Sequence, residues 1–377
     1  MTGAPGLDRL LREVVGPGAA GTDARGRFPR AAVTAFGAAG VLGLTVPKSR
    51  GGGGGGLAEA VRVVSEVARH CGSTAAVLQA HYAAVAVLVR CGPPELLRAV
   101  ASGTHLCTAA VAEAGRPEVL PTGAPPVVHG GVVDLVGRKR GVVAAGEADG
   151  YVWASAGTGG AATLWWVPAT APGLHVPAVA DGAAAVEGIG LRGSAMATVT
   201  ADPLRVPASA VLGGDGGGAE LVLTELLPWS LALAAAVATG LVEAVLARAV
   251  ECVTGPQPSW TRWQGPPTRQ PEVRADLARM AGRLAAARSS LDDAVQAATW
   301  RRPEALRLLL QARATAGETA VQVAELGIKV CGQSAFRADL GVERCFRDAH
   351  AAGFGPFGTD DALDLLGRLL CDVPLLT

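Results

Sequence analysis

Residues 190–218 read GLRGSAMATVTADPLRVPASAVLGGDGGG. The Ala197 to Thr200 run is rich in β-branched residues, and Gly and Pro punctuate the residues after it. That is the pattern of a short strand near the end of an all-β segment. The segment closes at the glycine-rich loop Gly213 to Gly218 around Asp215, which reads as a linker. Upstream, similar runs recur at Val127-Val128, Val132-Val133, Val142-Val143, Tyr151 to Trp153, Leu164 to Val167 and Leu174 to Val176.

On both sides the periodicity is helical. Before residue 105, Leu7, Leu10, Leu11 and Val14 lie three or four apart, and Val61, Val64 and Ala68 continue the theme. After residue 219, Pro228 suits the first turn of a helix running to about Val250. Val273, Leu277, Met280, Leu284, Ala287 and Leu291 then alternate four and three apart, as bundle packing requires. Further helices are expected over about Pro303 to Val330 and Asp360 to Leu370. The reading is an α+β fold, with an N-terminal helical domain (1–105), a middle β-domain (106–215) and a C-terminal four-helix bundle (216–377).

Composition narrows the classes of function. The chain has 377 residues, with 33 Lys+Arg against 33 Asp+Glu. There is no basic excess for a nonspecific nucleic-acid binder. A 50% hydrophobic content with 18% charged residues excludes a disordered chain. Leu226 to Val242 carries no charge but falls short of the roughly 20 residues of a spanning helix, so it reads as a buried bundle helix. Seven cysteines with no CxxC pair argue against a disulfide framework or a thiolate zinc site. The six histidines form no HExxH or clustered pattern, so no metal is expected. The start, Met1 to Leu10, shows no signal peptide, and the expected location is cytoplasmic. Gly51 to Gly56 lacks a following GKS or GKT and reads as a flexible loop before a helix.

Local motifs add a resemblance. Gly190-Leu191-Arg192-Gly193-Ser194, Ala201-Asp202-Pro203-Leu204-Arg205-Val206-Pro207 and Val211-Leu212-Gly213 look like the signature that ends the β-domain of acyl-CoA dehydrogenases. Arg344-Cys345-Phe346-Arg347-Asp348-Ala349 resembles that family's RDA segment. Val46-Pro47 and Cys71-Gly72-Ser73-Thr74 through His81 are similar to it as well. The resemblance implies α,β-desaturation of an acyl thioester. A Glu would take the α-proton and FAD would accept the β-hydride. It also implies an acyl-CoA or acyl-carrier-protein substrate and a homodimer or homotetramer, with no nucleic-acid or membrane partner.

The residues of that chemistry are missing. Where the family has the Glu of a YEGT-like motif, this chain has Phe357, or Pro356 without a gap. At the second base position it has Ser230. Ser230 and Phe357 are therefore assigned to the substrate cleft. The TEPGAGSD-like loop corresponds to Ala112-Glu113-Ala114-Gly115-Arg116-Pro117-Glu118. The ring-covering Trp and Thr correspond to Gly141 and Val143 after Lys139-Arg140. The QxxGG segment reads Lys329-Val330-Cys331-Gly332-Gln333, and the Arg before a QFG motif is displaced in Arg262-Trp263-Gln264-Gly265. The expectation is that FAD binds weakly or not at all, and that any bound flavin leans on Lys329, Gly332 and Thr359. Lys329 also reads as a solvated helix-end lysine, and Thr359 as a helix N-cap before Asp360-Asp361.

Three residues stand as candidate catalytic groups: His350 beyond Arg347-Asp348, Glu225 before Pro228, and His81. Each also has an ordinary packing or solvated reading. The first functional expectation is a divergent flavin oxidoreductase acting on a thioester-bound acyl group with non-standard chemistry. A flavin monooxygenase, which needs no α-proton base, is one version, and Phe354-Gly355-Pro356 resembles that branch. The alternative is a non-redox protein on the same scaffold, either a repurposed flavin-independent enzyme or a flavin-less subunit paired with a paralogue.

Overall fold

The structure, a computed structural model, describes residues 6–115, 120, 125–157, 161–177, 188–256, 266–355 and 357–375. Helix α1 (Leu7–Leu10) passes through a π-helical turn into α2 (Gly16–Arg25), followed by α3 (Arg30–Ala38), α4 (Leu57–His70), α5 (Gly72–Cys91) and α6 (Pro94–Ala101). Cys71 adopts extended dihedrals, φ −151° and ψ 110°, so the Leu57 to Val89 run is two helices and not one.

The six-glycine run is not a free loop. The N–H groups of Gly53, Gly54 and Gly55 donate to the carbonyls of Gly43, Val46 and Leu44, at 3.0, 2.9 and 2.8 Å. A Cβ at Gly53 would lie 2.9 Å from the Leu44 carbonyl oxygen. Glycine is required there because two backbones meet, a reason that composition does not carry.

The β-region holds two four-stranded sheets. One is ordered β1 (Cys107–Ala110), β4 (Gly150–Ala156), β5 (Ala162–Pro168), β8 (Val211–Leu212), with β1 parallel to β4. The other is antiparallel, ordered β2 (Val127–His129), β3 (Val132–Val142), β7 (Ala197–Pro207), β6 (Leu174–His175). On β7, Ala197, Val199 and Ala201 face inward, and then Leu204 and Val206 do. The period-2 frame slips once, at Asp202-Pro203, where β3 advances two residues from Leu135 to Gly137 against three on β7. This bulge accommodates the proline and keeps both apolar sets on Trp153 and Trp165.

The C-terminal part comprises α7 (Gly218–Leu221), a π-helical turn over Val222–Leu226, α8 (Leu227–Thr254), α9 (Pro271–Thr299), α10 (Ala305–Cys331), α11 (Val342–Ala351) and α12 (Thr359–Leu370). The short α11 adds to the four expected helices. Among the described residues, two helices are long and apolar enough to cross a membrane, but 83% and 78% of their most apolar windows lie buried in the chain. They are core helices. Helix α8 is apolar nearly all round because α4, α5, α9 and α10 surround it. Gly240 lets α4 approach, since a Cβ there would sit 2.6 Å from that of Ala68.

His81 belongs to this framework. It is fully buried on α5, with Nε2 2.9 Å from the Leu42 carbonyl oxygen and Nδ1 accepting from the Cys107 N–H at 3.0 Å. These partners fix a neutral ring protonated on Nε2, which joins the helical region to β1. Burial pushes its pKa down to about 4 from 6.5. Below pH 6.5 the unfolded chain binds a proton that the folded ring refuses. The stabilisation is therefore complete above pH 6.5 and is lost as pH falls toward 4, by about 3 kcal/mol. His81→Gln, which keeps a donor and an acceptor, is expected to lack this component. Urea titrations of both proteins from pH 7 to 4 would show their stability difference changing by that amount.

Candidate active site

The signature stretch forms a tight turn wedged between three helices. Leu191 and Ala195 both hold φ 49°, in the left-handed region unfavourable to side-chain-bearing residues, on either side of a 3₁₀ turn over Arg192–Ser194. Such strain persists only where surroundings over-determine it. Here the Leu191 N–H donates to Asp348 Oδ1 at 2.6 Å, and the Gly193 N–H donates to Ser73 Oγ at 3.1 Å. Ala144 and Ala145 N–H groups each donate at 2.9 Å to the carbonyls of Ser194 and Ala195. Gly193 abuts Thr22 and the Arg27 carbonyl, and Gly190 abuts the Arg347 carbonyl, so neither has room for a Cβ.

Asp348 is buried on α11. Burial pushes its pKa up to about 6, opposed by the Leu191 N–H. Beside it, Arg347 forms a two-pronged pair with Asp23, at 2.8 and 2.6 Å, and donates to the Ile189 carbonyl at 2.6 Å.

Against this turn lies a cavity of about 320 Å³, lined by Gly141, Arg192, Ser194, Met196, Thr198 and Phe354 among others. The size suits a ring or a short acyl segment. Phe354, 77% exposed, marks the rim. Among the described residues lining it there is no carboxylate, imidazole or thiol. The walls offer hydroxyls, one guanidinium and apolar surface, but no side chain suited to remove an α-proton.

The turn between α11 and α12 is held from beneath by Arg313 of α10. Its buried guanidinium donates to the carbonyls of Phe357, Ala352 and Gly353 at 3.3, 3.0 and 3.3 Å, and to Thr359 Oγ1 at 3.2 Å. Burial lowers its pKa to about 10, which Asp361 partly offsets, so it stays charged at neutral pH. Phe357 takes φ +60° and is buried in the main core. Phe354, and not Phe357, reaches the cavity. Pro356 lies outside the described residues.

The candidate catalytic groups do not converge. His81 is committed to Leu42 and Cys107, as described. His350 bonds through Nδ1 to the Phe346 carbonyl one turn back, at 2.8 Å, and its ring lies 4.3 Å from that of Phe346. Glu225 sits in the π-helical turn before α8, 4.0 Å from Arg90, beside a separate cavity of about 950 Å³ that also meets Arg301 and Trp229. Partial burial raises its pKa, and Arg90 and Arg301 oppose the rise. Ser230 is buried within α8.

The expected phosphate-holding residues already have other partners. Lys329 Nζ lies 2.7 Å from Oδ2 of Asp276 on α9 and is two-thirds exposed. Thr359 accepts from Arg313 and presses on Gly317. Gly332 caps α10 at φ +53° with open space where a Cβ would be. Gly141 stands in the cavity wall. Ala112 is buried, and Glu113 accepts from buried Lys139 at 2.6 Å. Burial lowers the Lys139 pKa, and Glu113 opposes this. Residues 116–118 and 262–265 lie outside the described residues.

Sequence reasoning missed Asp348 and Arg313 as organising groups. Asp348 is legible only as part of a segment. Arg313 looks like any helix arginine, although its neighbours Leu309, Leu310, Ala312 and Ala316 are all apolar.

Comparison with known proteins adds the family context. The family model described as acyl-CoA dehydrogenase, N-terminal domain matches residues 6–119, and that described as the C-terminal domain matches 216–365. The probable acyl-CoA dehydrogenase YngJ of Bacillus subtilis (strain 168) is 28% identical over 365 residues, covering 92% of this chain and 91% of that protein. The human mitochondrial short-chain specific acyl-CoA dehydrogenase is 25% identical, covering 88% of this chain and 80% of that one. In fold, the chain is similar to butyryl-CoA dehydrogenase from Megasphaera elsdenii, with TM-score 0.84 and 20% identity over 98% of this chain and 97% of that one.

Arg313→Met is expected to strand several buried carbonyls and to cost about 3 kcal/mol, at about 1–3 kcal/mol for each unsatisfied group. Arg313→Lys would recover only part, because an ammonium cannot reproduce the planar fork. Chemical denaturation midpoints of the three proteins would measure this.

Proposed function

Because the chain belongs to the acyl-CoA dehydrogenase family, we propose that it is a divergent member acting on a thioester-bound acyl group at the cavity beside the 190–196 turn, by chemistry other than base-assisted α,β-desaturation. The observation that carries this reading is the cavity wall, whose described residues include no proton-accepting side chain. The sequence agrees, since no carboxylate lies between Asp348 and Asp360. Asp348 itself is occupied by the Leu191 N–H. Loss of a general base costs about 10² to 10⁴ in rate. CoA and a carrier protein are both compatible as the thioester carrier.

FAD is the family's cofactor, and the residues present do not fit it as the resemblance implies. Lys329 must leave Asp276 to meet a phosphate, Thr359 is engaged by Arg313, and Gly141 offers no ring cover. In this reading FAD binds weakly or not at all, and any bound flavin leans on Lys329, Gly332 and Thr359. Three or four lost hydrogen bonds of about 0.5–1.5 kcal/mol each weaken affinity by about 10 to 10⁴. The first version is a flavin oxidoreductase with no need of a base; the misfit is the observation behind a second, a non-redox thioester-binding protein or a flavin-less subunit beside an active paralogue.

The visible absorbance spectrum of the purified protein, with denaturation to release flavin, separates the two versions. The expected result is substoichiometric flavin. Dye-coupled assays over a series of acyl-CoAs should show no turnover, while calorimetry should detect acyl-thioester binding. Dye reduction at about 1–10³ per second, the usual enzymatic range, would sink the proposal.

A further inference from the structure

Arg192 lies in the 3₁₀ turn between Leu191 and Ala195 and lines the cavity of about 320 Å³. It is half-buried, and among the described residues no hydrogen bond or ion pair engages its guanidinium. Neighbouring arginines are engaged. Arg347 is paired with Asp23 and Glu343, and Arg313 is held by three carbonyls and a hydroxyl. None of the described residues in the cavity wall is a carboxylate. A cation partly withdrawn from water, beside Met196 and Phe354, is therefore short of acceptors.

We propose that Arg192 anchors an oxyanion of the ligand, either the distal carboxylate of a short dicarboxylic acyl chain or a phosphate of the thioester carrier. The inference rests on the reading of this cavity as the thioester site and names the charge its ligand carries. The planar guanidinium offers a fork of N–H donors that matches the two oxygens of a carboxylate or two of a phosphate. Hydroxyls of Ser194 and Thr198 stand in the same wall and can add single bonds to the anion.

The backbone that carries Arg192 is fixed before any ligand arrives. Asp348 and Ser73 hold the N–H groups of Leu191 and Gly193, and the N–H groups of Ala144 and Ala145 hold the carbonyls of Ser194 and Ala195. Little ordering of the main chain remains for binding to oppose. The apolar remainder of the wall, with Met196, Ala197, Ala351 and Phe354, suits the methylenes between a thioester and a distal carboxylate. An uncharged acyl chain would fill the same space and leave the guanidinium without an acceptor, so the cavity discriminates by charge as well as by length.

The test is calorimetry on the intact protein and on Arg192→Met with adipyl and hexanoyl thioesters, each made with N-acetylcysteamine, which has no phosphate, and with CoA. Free adipate and inorganic phosphate complete the set. The expected result is that adipyl-N-acetylcysteamine binds about 10- to 100-fold more tightly than its hexanoyl counterpart. Arg192→Met should abolish that preference and leave hexanoyl-N-acetylcysteamine unchanged, which also shows that the cavity is intact. An Arg192-dependent advantage of CoA over N-acetylcysteamine, equal for both chains, assigns the anchor to phosphate instead. Arg192→Lys, which keeps the charge without the fork, should lose less, and it replaces the methionine variant if that one folds poorly. Affinities for adipyl-N-acetylcysteamine, the CoA thioesters, adipate and phosphate that ignore residue 192 would overturn the anchor, while thioester binding itself would still stand. Arg192-dependent binding of adipate or phosphate with no thioester binding would keep the anchor and sink the thioester reading. Binding of none of these ligands would sink both.

Discussion

The bond from the Leu191 N–H to the buried Asp348 carboxylate ties the signature turn to the C-terminal helices. A hydrogen bond to a charged acceptor contributes about 1.5–3 kcal/mol, enough to hold a left-handed leucine in place. The Ser73 hydroxyl bonds the same turn at Gly193 from α5, and the N–H groups of Ala144 and Ala145 bond it from the β-region. One turn thus joins the N-terminal helices, the sheets and the last helices. The cavity beside it inherits its shape from that junction. If Asp348 or the turn moved, the positions of Arg192, Ser194 and Phe354 would move together.

A second buried charge supports the opposite side. Among the described residues, Arg313 has no carboxylate within hydrogen-bond distance and is satisfied by carbonyls and a hydroxyl. Its fork fixes the turn between α11 and α12. Here that segment carries Phe357, turned into the core, and leaves Phe354 at the rim. The cavity wall above it offers hydroxyls, one guanidinium and apolar surface, and none of its described residues is a carboxylate, imidazole or thiol. This contrast between a well-supported frame and a wall without a proton acceptor underlies the functional proposal.

Several candidates from sequence dissolve into structure once their partners are seen. His81 stood as a candidate catalytic group, but its two ring nitrogens are both spent on backbone groups. Lys329 carries the charge a phosphate would want, yet Asp276 stands in front of it. In each case the residue type was legible and the partner was not, because the partner sits on another element far along the chain. Hydrogen-bond saturation is a property of the folded arrangement.

The order of helices, strands and helices followed from local chemistry. Periods of 3.6 and 2 mark which faces are apolar, and neutral composition excluded whole classes of partner. The absence of any Asp or Glu between Asp348 and Asp360 was equally local. Tertiary structure alone decided that Gly51 to Gly56 is pinned to residues 43–46 and that Asp348 and Ser73 meet at one turn. Those facts depend on distances between residues remote in sequence. Burial then sets their chemistry, raising an aspartate and lowering a histidine in ways that no residue's own identity determines.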